Sequence, residues 1–184
     1  SNLAPLKRSA IRVYTNLARQ TPDCAMLTIG EPDFDTPEAI KLEADAALQQ
    51  GQTHYAPNQG TSELRGAIAA YETGRGNPTT PEQVLVTVGS SQALFTALLG
   101  ILNPGEEVIV PVPAFSLYET IITIAGGKMV PLDVSKTGFQ IDAQALERLV
   151  TPKTKAIVLN SPNNPTGVIL NEQSLSAVKQ AVLG

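Results

Sequence analysis

From Gln83 onward, short apolar runs rich in β-branched residues alternate with longer stretches of helical period. The pattern predicts strands near 84–88, 107–111, 128–132 and 155–159, and helices near 91–102, 115–125, 142–149 and 171–183. That order implies parallel strands joined by crossover helices. Upstream, Ala10 to Leu17 is a short amphipathic segment. Thr36-Pro37-Glu38 opens a helix with Thr36 as the expected N-cap and Pro37 at the first helical position, and Gly51 stops it after Gln50. Thr61 to Tyr71 repeats the arrangement from a Thr61-Ser62-Glu63-Leu64 start, with Gly74, Gly76 and Pro78 closing it. The expected organisation is an arm over residues 1–30 followed by an α/β domain over residues 31–184.

Composition narrows the class. With 184 residues, 42% of them hydrophobic and 16% charged, the chain is globular and can bury a sizeable core. A net charge of -4, with its 13 Lys and Arg residues scattered, leaves no basic surface for a nucleic-acid partner. Cys24 is the one cysteine and His54 the one histidine, so neither an internal disulfide nor a His-rich metal cluster is expected, and a reducing cytoplasm fits. No apolar run reaches the length of a bilayer span, so no membrane association is expected.

Chemistry gathers where the expected strands end. An apolar run closes at Leu159, and Asn160-Ser161-Pro162-Asn163-Asn164-Pro165-Thr166-Gly167 follows at once, setting amide side chains at a strand's carboxyl end. Either asparagine alone is also explained as a turn former before Pro165. Val84 to Leu94 reads as a strand, a Gly89 turn and a helix start bearing Ser90, Ser91 and Gln92. Free N–H groups and the helix dipole attract an anion there, although an ordinary Ser N-cap accounts for the same residues. Pro111-Val112-Pro113-Ala114-Phe115 follows the next strand and aims an aromatic from its end; a plain core residue is the alternative.

These pieces, with His54-Tyr55-Ala56-Pro57-Asn58-Gln59-Gly60 and Ile29-Gly30-Glu31-Pro32, occur in an order that resembles the class I and II aminotransferases, pyridoxal phosphate enzymes of fold type I. The resemblance implies an incomplete large domain, a three-layer α/β/α arrangement on a mainly parallel sheet, preceded by an N-terminal arm. It implies that Ser90, Ser91 and Gln92 hold the cofactor phosphate and that Phe115 covers the pyridine ring. Asn164 would hydrogen-bond the ring hydroxyl oxygen and lie near the substrate carboxylate, which the Gly30 N–H would also meet. Tyr55 would reach the phosphate of the neighbouring subunit's cofactor, which implies a homodimer. The implied reaction moves an amino group between an amino acid and a 2-oxo acid. Related alternatives are a carbon-sulfur lyase, an aminocyclopropane-carboxylate synthase or a non-catalytic effector-binding domain.

None of the lysines here sits in the serine-rich context of the family's Schiff-base lysine, so no catalytic residue is assigned and this N-terminal half is expected to be inactive alone. In the family, three later strands separate the first strand of the large-domain sheet from the fourth. Residues 84–88 would therefore lack a neighbour, which leads to the expectation that they belong to a longer chain or borrow strands from a partner. Direct pairing of 84–88 with 155–159 would overturn that expectation.

Overall fold

In the computed structural model, which describes residues 10–183, the alternation of apolar runs and helices downstream of Val88 becomes a parallel sheet covered on both faces. The chain divides into two compact units, one ending at Thr87 and the other running on from Val88. Residues 1–9 of the expected arm lie outside the described residues.

The first unit holds α1 (Ala10–Gln20), α2 (Glu38–Gln49), α3 (Ser62–Gly74) and a 3-10 turn at Pro81–Gln83. Thr15 fastens α1 to the following segment, its hydroxyl lying 2.8 Å from Thr28 Oγ1. The expected Thr36 cap of α2 is not formed. Pro37 occupies the N-cap position with φ -50 and ψ 139 and no side-chain cap, and its carbonyl accepts from the Lys41 N–H at 3.3 Å. Proline's fixed φ is compatible with the extended residue before a helix as well as with the first helical residue, so the start slips by one. Thr61 does cap α3, accepting from the Leu64 N–H at 3.3 Å. Both helices end in Schellman turns: Gln52 N–H reaches Ala47 O after α2, and Asn77 N–H reaches Glu72 O after α3, each at 3.0 Å.

Residues 84–88, expected as a strand, form none. The Val86 N–H donates to Gln59 O at 3.0 Å, and the Arg65 guanidinium takes the carbonyls of Pro81 and Val84. An extended segment becomes a strand only when a neighbour supplies a ladder, and here loop and side-chain groups take those bonds instead.

The second unit runs α4 (Gly89–Ile101), β1 (Glu107–Val112), α5 (Leu117–Ile124), β2 (Lys128–Asp133), α6 (Ala143–Glu147), β3 (Thr154–Ile157) and α7 (Glu172–Leu183). The strand order is β2-β1-β3, with both pairings parallel. Side-chain alternation along β1 splits the core in two. Val108 and Val110 pack with Leu98, Leu102, Tyr118, Ile121 and Ile122 beneath α4 and α5. Ile109, between them, packs with Leu132, Val134, Ile141, Leu146 and Ala177 beneath α6 and α7. Both faces of the central strand are thus buried, as parallel sheets require. This is the three-layer α/β/α arrangement.

At the amino edge of the sheet the polar groups satisfy one another. Thr151 Oγ1 donates to Glu107 Oε2 at 2.8 Å, and Lys128 Nζ lies 3.1 Å from Glu107 Oε1. The Thr151 hydrogen bond, then Lys128, hold the Glu107 carboxyl below its ordinary pKa.

Candidate functional site

The carboxyl edge is built differently. Past β3 the backbone turns through Ser161-Pro162-Asn163-Asn164-Pro165-Thr166-Gly167, with cis peptide bonds before Pro162 and Pro165. Asn163 closes the turn: its N–H donates to Val168 O at 2.9 Å and its carbonyl accepts from the Gly167 N–H at 2.7 Å. Gly167 has φ +71, a conformation that a side chain would strain. The Asn163 amide also donates to Thr166 Oγ1 at 2.9 Å and, across to the loop following β1, to Pro113 O at 3.1 Å. The Leu170 N–H reaches Ser161 Oγ at 3.0 Å and so secures the returning limb.

Asn164 differs from its neighbour. Its side chain is exposed and makes no hydrogen bond among the described residues. The turn-former explanation accounts for Asn163 and leaves the Asn164 amide without an internal task. Two residues beyond Pro113, Phe115 is half-buried, packing against the α4–α5 core and meeting Tyr118 edge to face with ring centroids 5.9 Å apart. Tyr118 is buried, and that burial raises the pKa of its hydroxyl. The Asn163–Pro113 bond brings the Phe115 and Asn164 loops together at one edge.

Ser90 and Ser91 stand in the first turn of α4, a 13-residue helix whose N-cap residue, Val88, has no polar side chain with which to cap it. Gly89 makes the turn into it with φ +80. Gln92 Oε1 folds back to accept the Val88 N–H at 2.6 Å, leaving its amide nitrogen as the donor. Ser90 and Ser91 are exposed. Leu94 and Phe95, in the first half of α4, pack on the same cluster as Val112, Ala114 and Phe115, which sets this helix start toward the carboxyl edge. A helix N-terminus with two exposed hydroxyls suits an anion, and a half-buried ring and an exposed amide on two loops tied at one edge suit a flat, oxygen-bearing partner. The donor set therefore fits a phosphorylated aromatic cofactor.

Comparison with known proteins decides the family. The family model described as "Aminotransferase class I and II" matches residues 22–183. The chain belongs to the class I and II aminotransferases. It is 47% identical to a probable aspartate/prephenate aminotransferase of Thermus aquaticus over 91% of its own length and 44% of that protein's. It is 41% identical to a probable N-acetyl-LL-diaminopimelate aminotransferase of Bacillus subtilis over 96% and 45%. The aspartate aminotransferase of Thermus thermophilus solved with maleate superposes with a TM-score of 0.91 at 42% identity, over 99% of this chain and 49% of that one. The chain thus spans about half the length of the relatives it matches. Its α/β unit is part of a fold type I domain, and class I and II aminotransferases are generally dependent on pyridoxal phosphate.

Gly30 and Tyr55 lie in the first unit of this aminotransferase chain. Gly30 is exposed with open space where a Cβ would stand, and the Tyr55 side chain is fully exposed. Sequence reasoning missed the residues that hold the Asn164 loop. In the sequence Asn163 reads only as a turn former, and Gln140 and Ser174 stand in no motif. The Ser174 hydroxyl, fully buried, accepts the Ile141 N–H and lies 2.9 Å from Gln140 Oε1, while Gln140 Nε2 donates to Ile169 O at 3.1 Å. No helix among the described residues is long and apolar enough to cross a membrane.

Proposed function

We propose that the whole protein is a cytoplasmic, homodimeric aminotransferase that moves an amino group between an amino acid and a 2-oxo acid with pyridoxal phosphate. In this reading residues 1–30 form an arm and residues 31–184 the first part of the cofactor-binding domain. The observation that carries the reading is the gathering, at one carboxyl edge, of the α4 start with its exposed Ser90 and Ser91 and an Asn164 amide with no hydrogen-bond partner among the described residues. The cofactor, when bound, supplies an electron sink for the transfer.

The protein's own groups bind and orient. Ser90 and Ser91 hold the phosphate through their hydroxyls and N–H groups, with the Gln92 amide nitrogen as a further donor. Phe115 covers one ring face. Asn164, a neutral amide that does not titrate, donates to the ring hydroxyl oxygen and faces the substrate carboxylate. The Gly30 N–H meets that carboxylate as well, and Tyr55 reaches the phosphate in the neighbouring subunit. Borohydride reduction of the intact protein loaded with pyridoxal phosphate, followed by mass spectrometry, should leave the cofactor's mass on a lysine. Labelled amino nitrogen should then pass from an amino acid to a 2-oxo acid. Failure of the first measurement overturns cofactor use, and release of elimination products in place of transfer indicates a lyase.

A further inference from the structure

Among the described residues, the Asn163 amide makes the one hydrogen bond between the loop that follows β1 and the loop that follows β3, donating to Pro113 O at 3.1 Å. Pro113 lies two residues before Phe115, and Asn163 immediately precedes Asn164. The same nitrogen holds Thr166 Oγ1 at 2.9 Å, so its orientation is fixed from within its own turn. Two backbone bonds of Asn163, to Val168 O and from the Gly167 N–H, fix the stem from which the amide projects. We infer that Asn163 is a positioning residue, one that sets the spacing between Phe115 and Asn164 by clamping the two loops together. It acts through its neighbours and touches no cofactor itself. Neither adjacent strand can set this spacing, because the β1–β3 ladder is registered only as far as Ile109 opposite Ile157, leaving the residues beyond it outside the register.

The inference rests on the cofactor reading above, and its test is chosen to separate the two. In the intact protein, Asn163→Ala should weaken pyridoxal phosphate affinity by about tenfold, the loss of one orienting hydrogen bond, and shift the absorption maximum of the bound cofactor. Thr166→Val, which removes the bond inside the turn and keeps the one to Pro113, should leave both closer to wild type. Crystal structures of the cofactor-free proteins give a second readout: the Phe115-to-Asn164 separation should change in Asn163→Ala and hold in Thr166→Val. Should Asn163→Ala not fold, Asn163→Asp serves, because its carboxylate can accept from the Thr166 hydroxyl in place of the amide's donation to Thr166 Oγ1 but cannot donate to Pro113 O. A lower melting temperature with wild-type affinity, spectrum and loop separation would overturn the inference. If wild type binds no pyridoxal phosphate, the functional reading fails while the loop separation still decides the clamp.

Discussion

At the amino edge of the sheet, Glu107, Lys128 and Thr151 close on one another, and each polar group finds its partner in a neighbouring strand or turn. At the carboxyl edge two adjacent amides part ways: Asn163 is bonded to Thr166 and Pro113, and Asn164 to nothing among the described residues. The same three strands feed both edges. An edge whose polar groups satisfy each other serves the scaffold, whereas the proposed function gives a ligand to the exposed amide on the turn that its neighbour pins.

Four experiments would break or sharpen that contrast. The largest effect is expected from Ile109→Ala, which hollows the α6–α7 side of the central strand beneath both edges. A fully buried isoleucine cut to alanine costs about 2–5 kcal/mol in denaturant unfolding of the intact protein. A loss confined to cofactor binding, with stability intact, would show that the two edges do not share one scaffold.

Asn164→Ala should weaken cofactor affinity by about 10- to 100-fold, the range for a hydrogen bond to a charged or polarised oxygen. Its melting temperature should stay within experimental error of wild type, because the side chain has no partner to lose. Strong destabilisation would return Asn164 to the scaffold. Ser174→Ala leaves the Ile141 N–H without its acceptor and should cost about 1–3 kcal/mol of stability, the penalty of an unmet buried donor. Cofactor affinity measured at saturating stability, well below the melting temperature, should change less than in Asn164→Ala.

The smallest effect belongs to the amino edge and depends on pH. Glu107 has its carboxyl pKa lowered in the folded state, so its contribution is complete above the ordinary carboxylate range and fades as pH falls through and below that range. Thermal melts from neutral to acid pH should show wild type losing more stability on acidification than Glu107→Gln, whose amide does not titrate. Parallel curves would mean that the Thr151 hydrogen bond and the ion pair with Lys128, whose ammonium is exposed, together contribute nothing measurable.

Elements whose causes are local were legible in the sequence. Thr61 caps α3 through a bond to the N–H three residues on, and the glycines after α2 and α3 end those helices. The apolar runs at 107–111 and 128–132 became β1 and β2 within a residue or so. The run expected over 155–159 became a shorter strand, Thr154–Ile157, because only its first part has β1 alongside. Residues 84–88 had the same apolar character, yet they form no strand, since strand pairing depends on a neighbour that no local pattern reveals. The Thr36 cap failed for a smaller reason: Pro37 can take the role of cap as readily as that of first helical residue.

The candidate site divides along the same line. Motif order alone brought Ser90, Ser91, Phe115 and Asn164 forward, because each stands where an apolar run breaks into Gly, Pro or Asn. The tertiary structure separated Asn163 from Asn164. Two identical side chains in succession are equivalent in a sequence, and only the folded loops give one of them a partner fifty positions away, at Pro113 O. Amino-acid order by itself determined the layers, the helix ends and the family; long-range pairing decided which strands exist and which amide is left facing outward. Local propensities act over a few residues, whereas a hydrogen bond spanning fifty positions exists only once the chain has folded.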